Sequence, residues 1–494
     1  MIQFLQEAVK LISINSVSQN GSEEIAAYCA GLMTSTGFRA NLQHVTHSVD
    51  GVSKRQFNVI GIMGDSLVDS RTRKGLLLST PLDTPAPGLA ANWKLGGGQP
   101  FKATLLEDRI IGLGAASAKL DFLCKLKACE RYRGRKLRIP IYLVGTAGSE
   151  LGGLGARFLV KSMTVNPQYV VVGAPTGLRV VTTHKATAVY QVGVSYNQLE
   201  RDAKGFNTRI GVRCTGRSAH GGYPQHGENA ILRTLAVVQK VRSANFQLKL
   251  AGVRGGDTPA SVPDVATLEF YIQNSAFEDF KKFYREGLLA NAEEVAHLQI
   301  EFGGLGESGV KFLADNILDA VRSVQEFFAG LKDNLLSAQD TSFDEPQSTV
   351  NFSGIRERAA GVDLFFDVRL LPSLQIDSFE TQLKESVQKL NGAYPNLMFT
   401  LTRVRHTPAL TARPGSLFYA QVVEAQKGLT PVDANKNLSI STEAAVYSAS
   451  GYESVVFGPG EAAGNSHGPD EHVLVEHLDK AVHFYDRLIE RFCL

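Results

Sequence analysis

Two stretches of the chain share one pattern, and a long middle stretch with another pattern separates them. The first third alternates helical spacing with short apolar runs at 57–63, 75–78, 139–144 and 169–172. Continuous apolar runs between helical segments are typical of strands in a sheet that helices cover on both faces. A chain of 494 residues is also too long for one compact core. The pattern therefore predicts an α/β body that an inserted domain interrupts.

The pattern changes near Arg209 to strand-like stretches that enclose single helices. The predicted strands are 209–214, 246–253 and 266–272, with helices from Glu228 and over 277–289. The same order partly returns, with strands at 348–355, 362–370 and 397–404 and a helix at 379–390. VRGGDTPASVPDVATLEFYIQ and IRERAAGVDLFFDVRLLP each predict two strands joined by a turn. The similarity is either an internal duplication or chance, because such patterns are common.

The end of the chain returns to the first pattern. A strand at 454–457 precedes a Gly- and Pro-rich loop, and a helix over 473–492 closes the chain. We therefore place the body at residues 1–183 and 406–494 and the inserted domain at 184–405. Near the start, Ser22 is expected to cap a helix over 23–33.

Composition excludes several classes of protein. The net charge of +2, with no block of like charges, argues against a nucleic-acid-binding protein. Five scattered cysteines without CxxC spacing fit buried thiols in a reducing compartment. The first residues lack the features of a signal peptide, and no apolar run of ~18 residues predicts a membrane span. We expect a cytoplasmic protein that binds neither nucleic acid nor membrane.

Polar loops follow the predicted strands, which is where open α/β sheets place their sites. Five of them lie in the body, and a sixth, GRSAHGGYPQHGENAI, lies in the inserted domain. The five are STPLDTPAPG, GLGAASAKLD, TAGSELGG, VVGAPTG and GNSHGPDEH.

In sequence, order and spacing, these loops resemble those of the M20 metallopeptidase family, which includes acetylornithine deacetylases, aminoacylases, carboxypeptidases and dipeptidases. The resemblance covers nearly the whole chain, from SINSVSQNGSEEIAAY to SHGPDEHVLVEHLDKAVHFY. It implies a zinc-peptidase-like α/β catalytic domain of the phosphorylase/hydrolase type with an inserted, enlarged α+β lid of the dimerisation type. The lid would be nearly twice the usual length, similar to the dipeptidase branch, where its second half imitates a dimer partner.

The chemistry that the resemblance implies needs two divalent metal ions bridged by a carboxylate and a water molecule. The metals polarise the scissile carbonyl and lower the pKa of the water. A neighbouring glutamate accepts the proton of the water and passes it to the leaving amine.

Four positions depart from the family pattern. Pro81 stands where a histidine ligand belongs, two residues before Asp83, whose family role is to orient that histidine. Ser117 replaces the bridging aspartate, and Ala174 replaces an acidic ligand. Ser149 replaces the glutamate that acts as general base. Proline and alanine offer no donor atom, and a neutral serine cannot bridge two divalent ions.

Other family positions are kept. Glu150 and His467 match metal ligands, and His220 matches a lid histidine that binds the substrate carbonyl. Asn229 belongs to the same lid motif, and Arg369 matches an arginine that holds a substrate carboxylate. Two ligands hold zinc weakly, because zinc sites need three or four. We expect no tightly bound cofactor, and at most one weakly held zinc ion.

Each of these residues also has a structural interpretation. His467 could be an exposed loop histidine, and Glu150 an acid that interacts with a helix dipole. Asp83 could cap a turn, His220 could be a hydrogen-bonded lid histidine, and Arg369 an exposed strand arginine.

Asp121 is a further candidate, because it lies four residues after Ser117 and therefore on the same face if the helix has begun. It could replace the lost bridge only from about one turn, or ~5 Å, further along the helix, so we do not favour this role.

We expect a catalytically inactive homologue that binds a small acyl-amino acid, a peptide or a protein partner. The alternative is an active metal-dependent amidohydrolase, a deacetylase or carboxypeptidase/dipeptidase, with an atypical or single-metal site. A third hypothesis is an assembly subunit that pairs with an active paralogue. The lid length favours a monomer over a lid-mediated dimer.

Overall fold

The computed structural model describes residues 2–47, 54–64, 73–196, 205–289, 296–305, 310–411, 415–429 and 436–494. The chain divides into two compact units. Unit 1 comprises residues 1–187, 339–346 and 406–494, and unit 2 comprises 188–338 and 347–405. In the described part of the chain, no helix is long and apolar enough to cross a membrane.

Strands and helices are numbered along the chain. The strands are β1 Arg39–Val45, β2 Gln56–Met63, β3 Gly75–Pro81, β4 Thr104–Leu105, β5 Arg109–Ile111, β6 Ile141–Thr146, β7 Pro167–Val172, β8 Thr183–His184, β9 Ala186–Tyr196, β10 Phe206–Thr215, β11 Lys249–Gly255, β12 Val265–Gln273, β13 Leu298–Leu305, β14 Thr349–Arg358, β15 Gly361–Leu370, β16 Leu397–Thr407, β17 Leu410–Thr411, β18 Glu453–Val456 and β19 His472–Leu474. The helices are α1 Ile2–Ser13, α2 Glu23–Thr36, α3 Lys119–Glu130, α4 Leu154–Ser162, α5 Ala230–Ser243, α6 Phe277–Phe283, α7 Ile317–Gly330, α8 Ile376–Ala393, α9 Leu417–Gln426, α10 Ala444–Ala449 and α11 Val475–Cys493.

Unit 1 is built on a six-stranded sheet in the order β1-β2-β6-β3-β7-β18. Strands β6, β3, β7 and β18 run parallel, and β1 and β2 complete one edge in antiparallel pairing. Nearly every side chain of β3 and β6 is buried, as expected for parallel strands that are covered on both faces. The carboxyl ends of the parallel strands therefore lie at one edge of the sheet, which positions the loops that follow them.

The core of unit 1 explains why its helices form where they do. Apolar residues of α1, α2, α3 and α11 are buried together with those of the sheet. All five cysteines are buried free thiols. Helix α3 is buried almost throughout its length, although it carries Lys119, Asp121 and Lys125. These charged side chains must therefore be paired inside the protein.

Unit 2 contains an eight-stranded sheet in the order β13-β10-β12-β11-β14-β15-β9-β16. The run β10-α5-β11-β12-α6-β13 is one βαββαβ unit, and β9-α7-β14-β15-α8-β16 has the same sequence of elements. The strand order of the second set mirrors that of the first about the antiparallel pair β11 and β14. One βαββαβ unit is therefore inserted between the first strand and first helix of the other.

Side-chain burial follows the same repeat. The order of buried, partly buried and exposed residues from Ala230 to Val238 in α5 recurs from Ala320 to Phe328 in α7. The two strand-turn-strand segments compared in the sequence form the equivalent hairpins β11–β12 and β14–β15.

Some local expectations differ from the structure. The hydroxyl of Ser22 does not cap α2; it is hydrogen-bonded to the backbone of Phe57 in β2 and so ties the helix start to the sheet. Residues 339–346, which the sequence analysis placed in the inserted domain, belong to unit 1. There the carbonyl of Glu345 accepts a hydrogen bond from the buried ammonium group of Lys185.

Candidate functional site

The loops that follow β3, β6 and β7 leave the sheet of unit 1 at the same edge. Pro81, the last residue of β3, is level with Thr146, the last residue of β6. Ser79 of β3 is level with Val172 at the end of β7. The strand order thus gathers loops that are far apart in sequence, as open α/β sheets do at their carboxyl ends.

Asp83 is held by donors from two other segments. Its carboxylate accepts hydrogen bonds from the hydroxyl of Ser18 at 2.6 Å and from the amides of Ser149 and Glu150 at 2.9 and 3.1 Å. The pKa of Asp83 is raised to about 6, mainly by burial and also by the charge of Glu150, while the three hydrogen bonds oppose the shift. Asp83 therefore holds the turn after β6, which is the structural role weighed for it above.

Glu150 and His467 lie against each other. His467 Nε2 is 3.3 Å from Glu150 Oε1, and both side chains are largely buried. His467 has a φ of 61°, in the left-handed region that non-glycine residues rarely adopt. The interpretation of His467 as an exposed loop residue is wrong, since it is 6% exposed. These two predicted metal ligands are brought together by the fold.

Ser117 is bonded to a carboxylate instead of bridging metal ions. Its hydroxyl and its amide each donate to Glu471 Oε1 at 2.7 Å, and the amide of Ala116 donates to the same atom at 2.9 Å. Glu471 is fully buried. It fastens the loop after β18 to the start of α3, with the charge of Lys119 acting on it from the same helix.

Asp121 is fully engaged below this loop. Its carboxylate accepts from the hydroxyls of Tyr485 and Thr80 and forms a buried ion pair of 2.7 Å with Lys125. Lys125 also donates to the hydroxyl of Thr80 and the carbonyl of Ser79. Asp121 is therefore part of a buried network of hydrogen bonds and one ion pair. The sequence analysis did not favour it as the bridging residue.

Glu443 is a residue of this site that sequence reasoning missed. It directly precedes α10, is 3% exposed, and accepts a hydrogen bond from the hydroxyl of Thr146 at 2.6 Å. Its pKa is raised to about 8, mainly by burial and also by the charges of Asp83 and Glu150, while the Thr146 hydrogen bond and Lys125 oppose the shift. The segment STEAA carries no motif that would have marked this glutamate in the sequence.

The other predicted residues lie in unit 2. His220 is buried, and its Nδ1 accepts the amide of Gly222 at 2.9 Å. The side chain of Asn229 caps α5 by accepting the amides of Ile231 and Leu232. Both residues therefore make structural contacts within unit 2.

Arg369 is buried in β15 and forms an ion pair of 2.7 Å with Asp367 on the same strand. The interpretation of Arg369 as an exposed strand arginine is therefore wrong. Its guanidinium group is already engaged by a carboxylate of the protein.

The donors at the family's metal positions do not fit a two-metal centre. Pro81 and Ala174 offer no side-chain donor, and the hydroxyl of Ser117 is engaged with Glu471. Glu150 and His467 alone remain, and zinc sites need three or four ligands. Within the described ranges, no three side chains of His, Cys, Asp or Glu are placed to hold one metal ion.

Comparison with known proteins agrees with this fold. Residues 82–491 match the family described as Peptidase family M20/M25/M40. An acetylornithine deacetylase of Yersinia pestis is 27% identical over 217 residues, which cover 44% of this chain and 48% of the relative. One from Aliivibrio fischeri (strain MJ11) is 25% identical over 241 residues, covering 46% and 56%. The chain thus spans about half the length of the curated relatives it matches.

Solved structures match over nearly the whole chain. Human carnosine dipeptidase 1 has a TM-score of 0.59 at 12% identity, covering 99% of this chain and 96% of that one. An M20 family metallo-carboxypeptidase from Sulfolobus solfataricus has a TM-score of 0.55 at 15% identity, covering 100% and 99%. At these identities the likeness shows the fold alone, and it confirms the predicted α/β fold class.

Proposed function

The chain belongs to peptidase family M20/M25/M40, and we propose that it is a hydrolase scaffold of that family that has lost metal-dependent catalysis. Its remaining role would be to bind a small acyl-amino acid, a peptide or a protein partner. The proposal includes a cytoplasmic, monomeric chain without a tightly bound cofactor, holding at most a weakly bound zinc ion. It also includes no binding to nucleic acid or membrane.

The observation that carries the proposal is the engagement of residues at and beside the family's metal positions. The hydroxyl of Ser117 and the carboxylate of Asp83 are hydrogen-bonded to groups of the protein itself. Pro81 and Ala174 have nothing to offer a metal ion, and these losses fall in separate loops.

The general base is a second, independent loss. By the family resemblance, Ser149 stands where the catalytic glutamate belongs, and a serine hydroxyl does not accept a proton at neutral pH. General acid–base catalysis contributes ~10²–10⁴-fold, and the metal supplies the activated water itself. A restored metal alone would therefore leave the reaction without its proton shuttle.

The first test measures zinc in protein purified without chelators. We expect less than about half an equivalent, because two ligands do not enforce tetrahedral coordination. In the same preparation, acetylated amino acids and dipeptides should not be hydrolysed measurably with added zinc, cobalt or manganese. Hydrolysis at the rate of ordinary family enzymes would contradict the proposal.

A repaired variant tests whether the scaffold is intact. It carries Pro81→His, Ser117→Asp, Ser149→Glu and Ala174→Glu, and thermal unfolding checks that it folds. A matched variant keeps the three ligand changes but leaves Ser149 unchanged. We expect zinc in both variants and amidase activity in the fourfold variant only. Equal activity of the two would show that the lost base does not limit catalysis.

One observation favours the alternative of an active single-metal amidohydrolase. Glu150 and His467 are both kept, and their side chains face each other at 3.3 Å. Stoichiometric zinc that is lost in both Glu150→Gln and His467→Ala would support this alternative. The hypothesis of an assembly subunit has no such observation in its favour.

A further inference from the structure

Glu443 has a buried oxygen that the protein leaves without a donor. Its Oε2 accepts from the hydroxyl of Thr146, whereas Oε1 has no hydrogen-bond partner among the described residues. The side chain is 3% exposed, so water has little access to it. A buried polar atom without a partner is costly, and a ligand that brings a donor would remove this cost.

The carboxylates of Asp83 and Glu150 lie at the same turn after β6 as Glu443. The Asp83 carboxylate binds the amides at positions 149 and 150, and Glu443 packs beside Thr146 and Gly153 at the two ends of the turn. The charges of Asp83 and Glu150 both act on Glu443, because they raise its pKa. Negative charge is therefore concentrated at this edge of the sheet once Glu443 is ionised, above its pKa of about 8.

Positive charge within the protein compensates only part of it. His467, when protonated, can neutralise Glu150, which it contacts. Lys125 also acts on Glu443, but it forms an ion pair with Asp121 and donates hydrogen bonds to Thr80 and the Ser79 carbonyl. Asp83 receives its hydrogen bonds from neutral donors only.

The spacing of the carboxylates favours an organic cation over a metal ion. Metal ligation requires three or more donors within about 2.0–2.6 Å of one point. Among the described residues no such group exists, although these carboxylates act on one another electrostatically. An N–H donor is held at about 2.8–3.0 Å, and a cation with several N–H groups can reach acceptors that are further apart.

Several residues around the cluster reach the surface of unit 1. Pro81, Ser149 and Glu150 are partly exposed, and so are Ser441 and Thr442, which precede Glu443. The carboxylates therefore lie just below the surface of unit 1, behind a rim of small or polar residues.

We propose that Asp83, Glu150 and Glu443 bind an organic cation, a primary ammonium or guanidinium group, in place of the metal ions of the family. The inference rests on the proposed function, since it requires a site that metal ions no longer fill. It names the chemistry of the ligand: the amine or guanidine of a small molecule or of a peptide.

The test is calorimetric titration of the metal-free, full-length protein with four probes at pH 9, above the pKa of Glu443, which is about 8. Butylammonium and methylguanidinium are the two candidate cations; n-butanol is a neutral control and tetramethylammonium a cation without N–H donors. We expect saturable binding of at least one of the first two, and at least tenfold weaker binding of both controls. Equal binding of n-butanol, or no saturation by either candidate cation, would overturn the inference.

Variants locate the site. Glu443→Gln keeps the size of the side chain and should weaken cation binding about tenfold or more. Glu107→Gln, the same change on an exposed glutamate of unit 1, should leave it unchanged. Unaltered binding by E443Q would exclude this cluster as the site, and the probe panel on the wild type decides the matter if E443Q does not fold. Zinc content and hydrolysis are measured on separate samples, so stoichiometric zinc overturns the proposed function, whereas absent cation binding in metal-free protein overturns only this inference.

Discussion

Two residues at the candidate site, Asp83 and Ser117, are hydrogen-bonded to other groups of the protein. Asp83 would orient a histidine in the family pattern, but position 81 is a proline, and the carboxylate instead accepts two amides of the next loop. Ser117 likewise donates to Glu471 and so joins two loops. Hydrogen bonds from neutral donors offset only part of the free-energy cost of burying an acidic side chain.

The effect of burying an acidic side chain on stability can be measured at Glu443 by varying the pH. Its pKa is raised to about 8 in the folded protein, against 4.5 as the ordinary value. Between these values the unfolded chain has released the proton that the folded protein keeps, so stability falls as pH rises through this window and levels off above it. The slope is at most about 1.4 kcal/mol per pH unit.

Glu443→Gln should remove this slope, because glutamine does not ionise. We expect the thermal midpoint of E443Q, relative to wild type, to rise by several °C between pH 5 and pH 8. Glu107→Gln, on the surface, should show no such trend. A difference between E443Q and wild type that stays constant over this range would mean that Glu443 is ionised in the folded protein at pH 5.

Sequence reasoning found some of these residues and missed others for a physical reason. Glu150 and His467 stand in motifs whose spacing marks them, and the fold brings them together. Glu443 lies in a segment without a motif, and its importance comes from burial beside Thr146, almost 300 residues away in sequence. Long-range burial of a single carboxylate leaves no local pattern.

At the scale of elements, the strands of the body were predicted from continuous apolar runs. Nearly all side chains of β3 and β6 are buried, and so are most of those of β7. Such burial requires apolar residues, and this is why the three strands were found. β9 was not predicted, although it has eleven residues. Its complementary elements, α7 and β14, follow only after the whole inserted βαββαβ unit, so no local repeat shows where it belongs.

Asn229 has a structural role at the start of helix α5. Asn229 accepts the amides of Ile231 and Leu232 at 3.0 and 3.3 Å and donates to the carbonyl of Phe352 at 2.8 Å. It thereby closes the amino terminus of α5 and fastens that helix to β14. The resemblance had implied a role in binding substrate for this residue.

Asn229→Ala should therefore destabilise the protein by ~1 kcal/mol or slightly more, because it removes a helix cap and a bond to the neighbouring strand. Asn316 is the matched control, since it precedes α7 without making a capping hydrogen bond in the described structure. Asn316→Ala should leave stability nearly unchanged. Chemical denaturation of both variants measures the difference, and equal stabilities would argue that Asn229 serves a ligand and not the helix.

At the scale of the whole molecule, the eight-stranded sheet of unit 2 bears on oligomeric state. Its two βαββαβ units meet at β11 and β14, where Arg254 pairs with Arg356 and Gly255 with Ile355. A surface that could have joined two chains is thus already paired within one. The sheet ends at β13 and β16, and β16 carries Arg403 and Arg405 near its end. Charged side chains on an edge strand oppose pairing with a second chain.

The chain should therefore be a monomer of 53.5 kDa in solution. Light scattering coupled to size exclusion, over a concentration range from micromolar to about a hundredfold above it, measures this mass directly. A constant mass near that of one chain is expected, because pairing at β11 and β14 leaves no equivalent strand for a partner. A stable mass of two chains would contradict the prediction. If Val404→Pro, which removes one amide donor from edge strand β16, then restored the single-chain mass, the dimer would be formed through that edge.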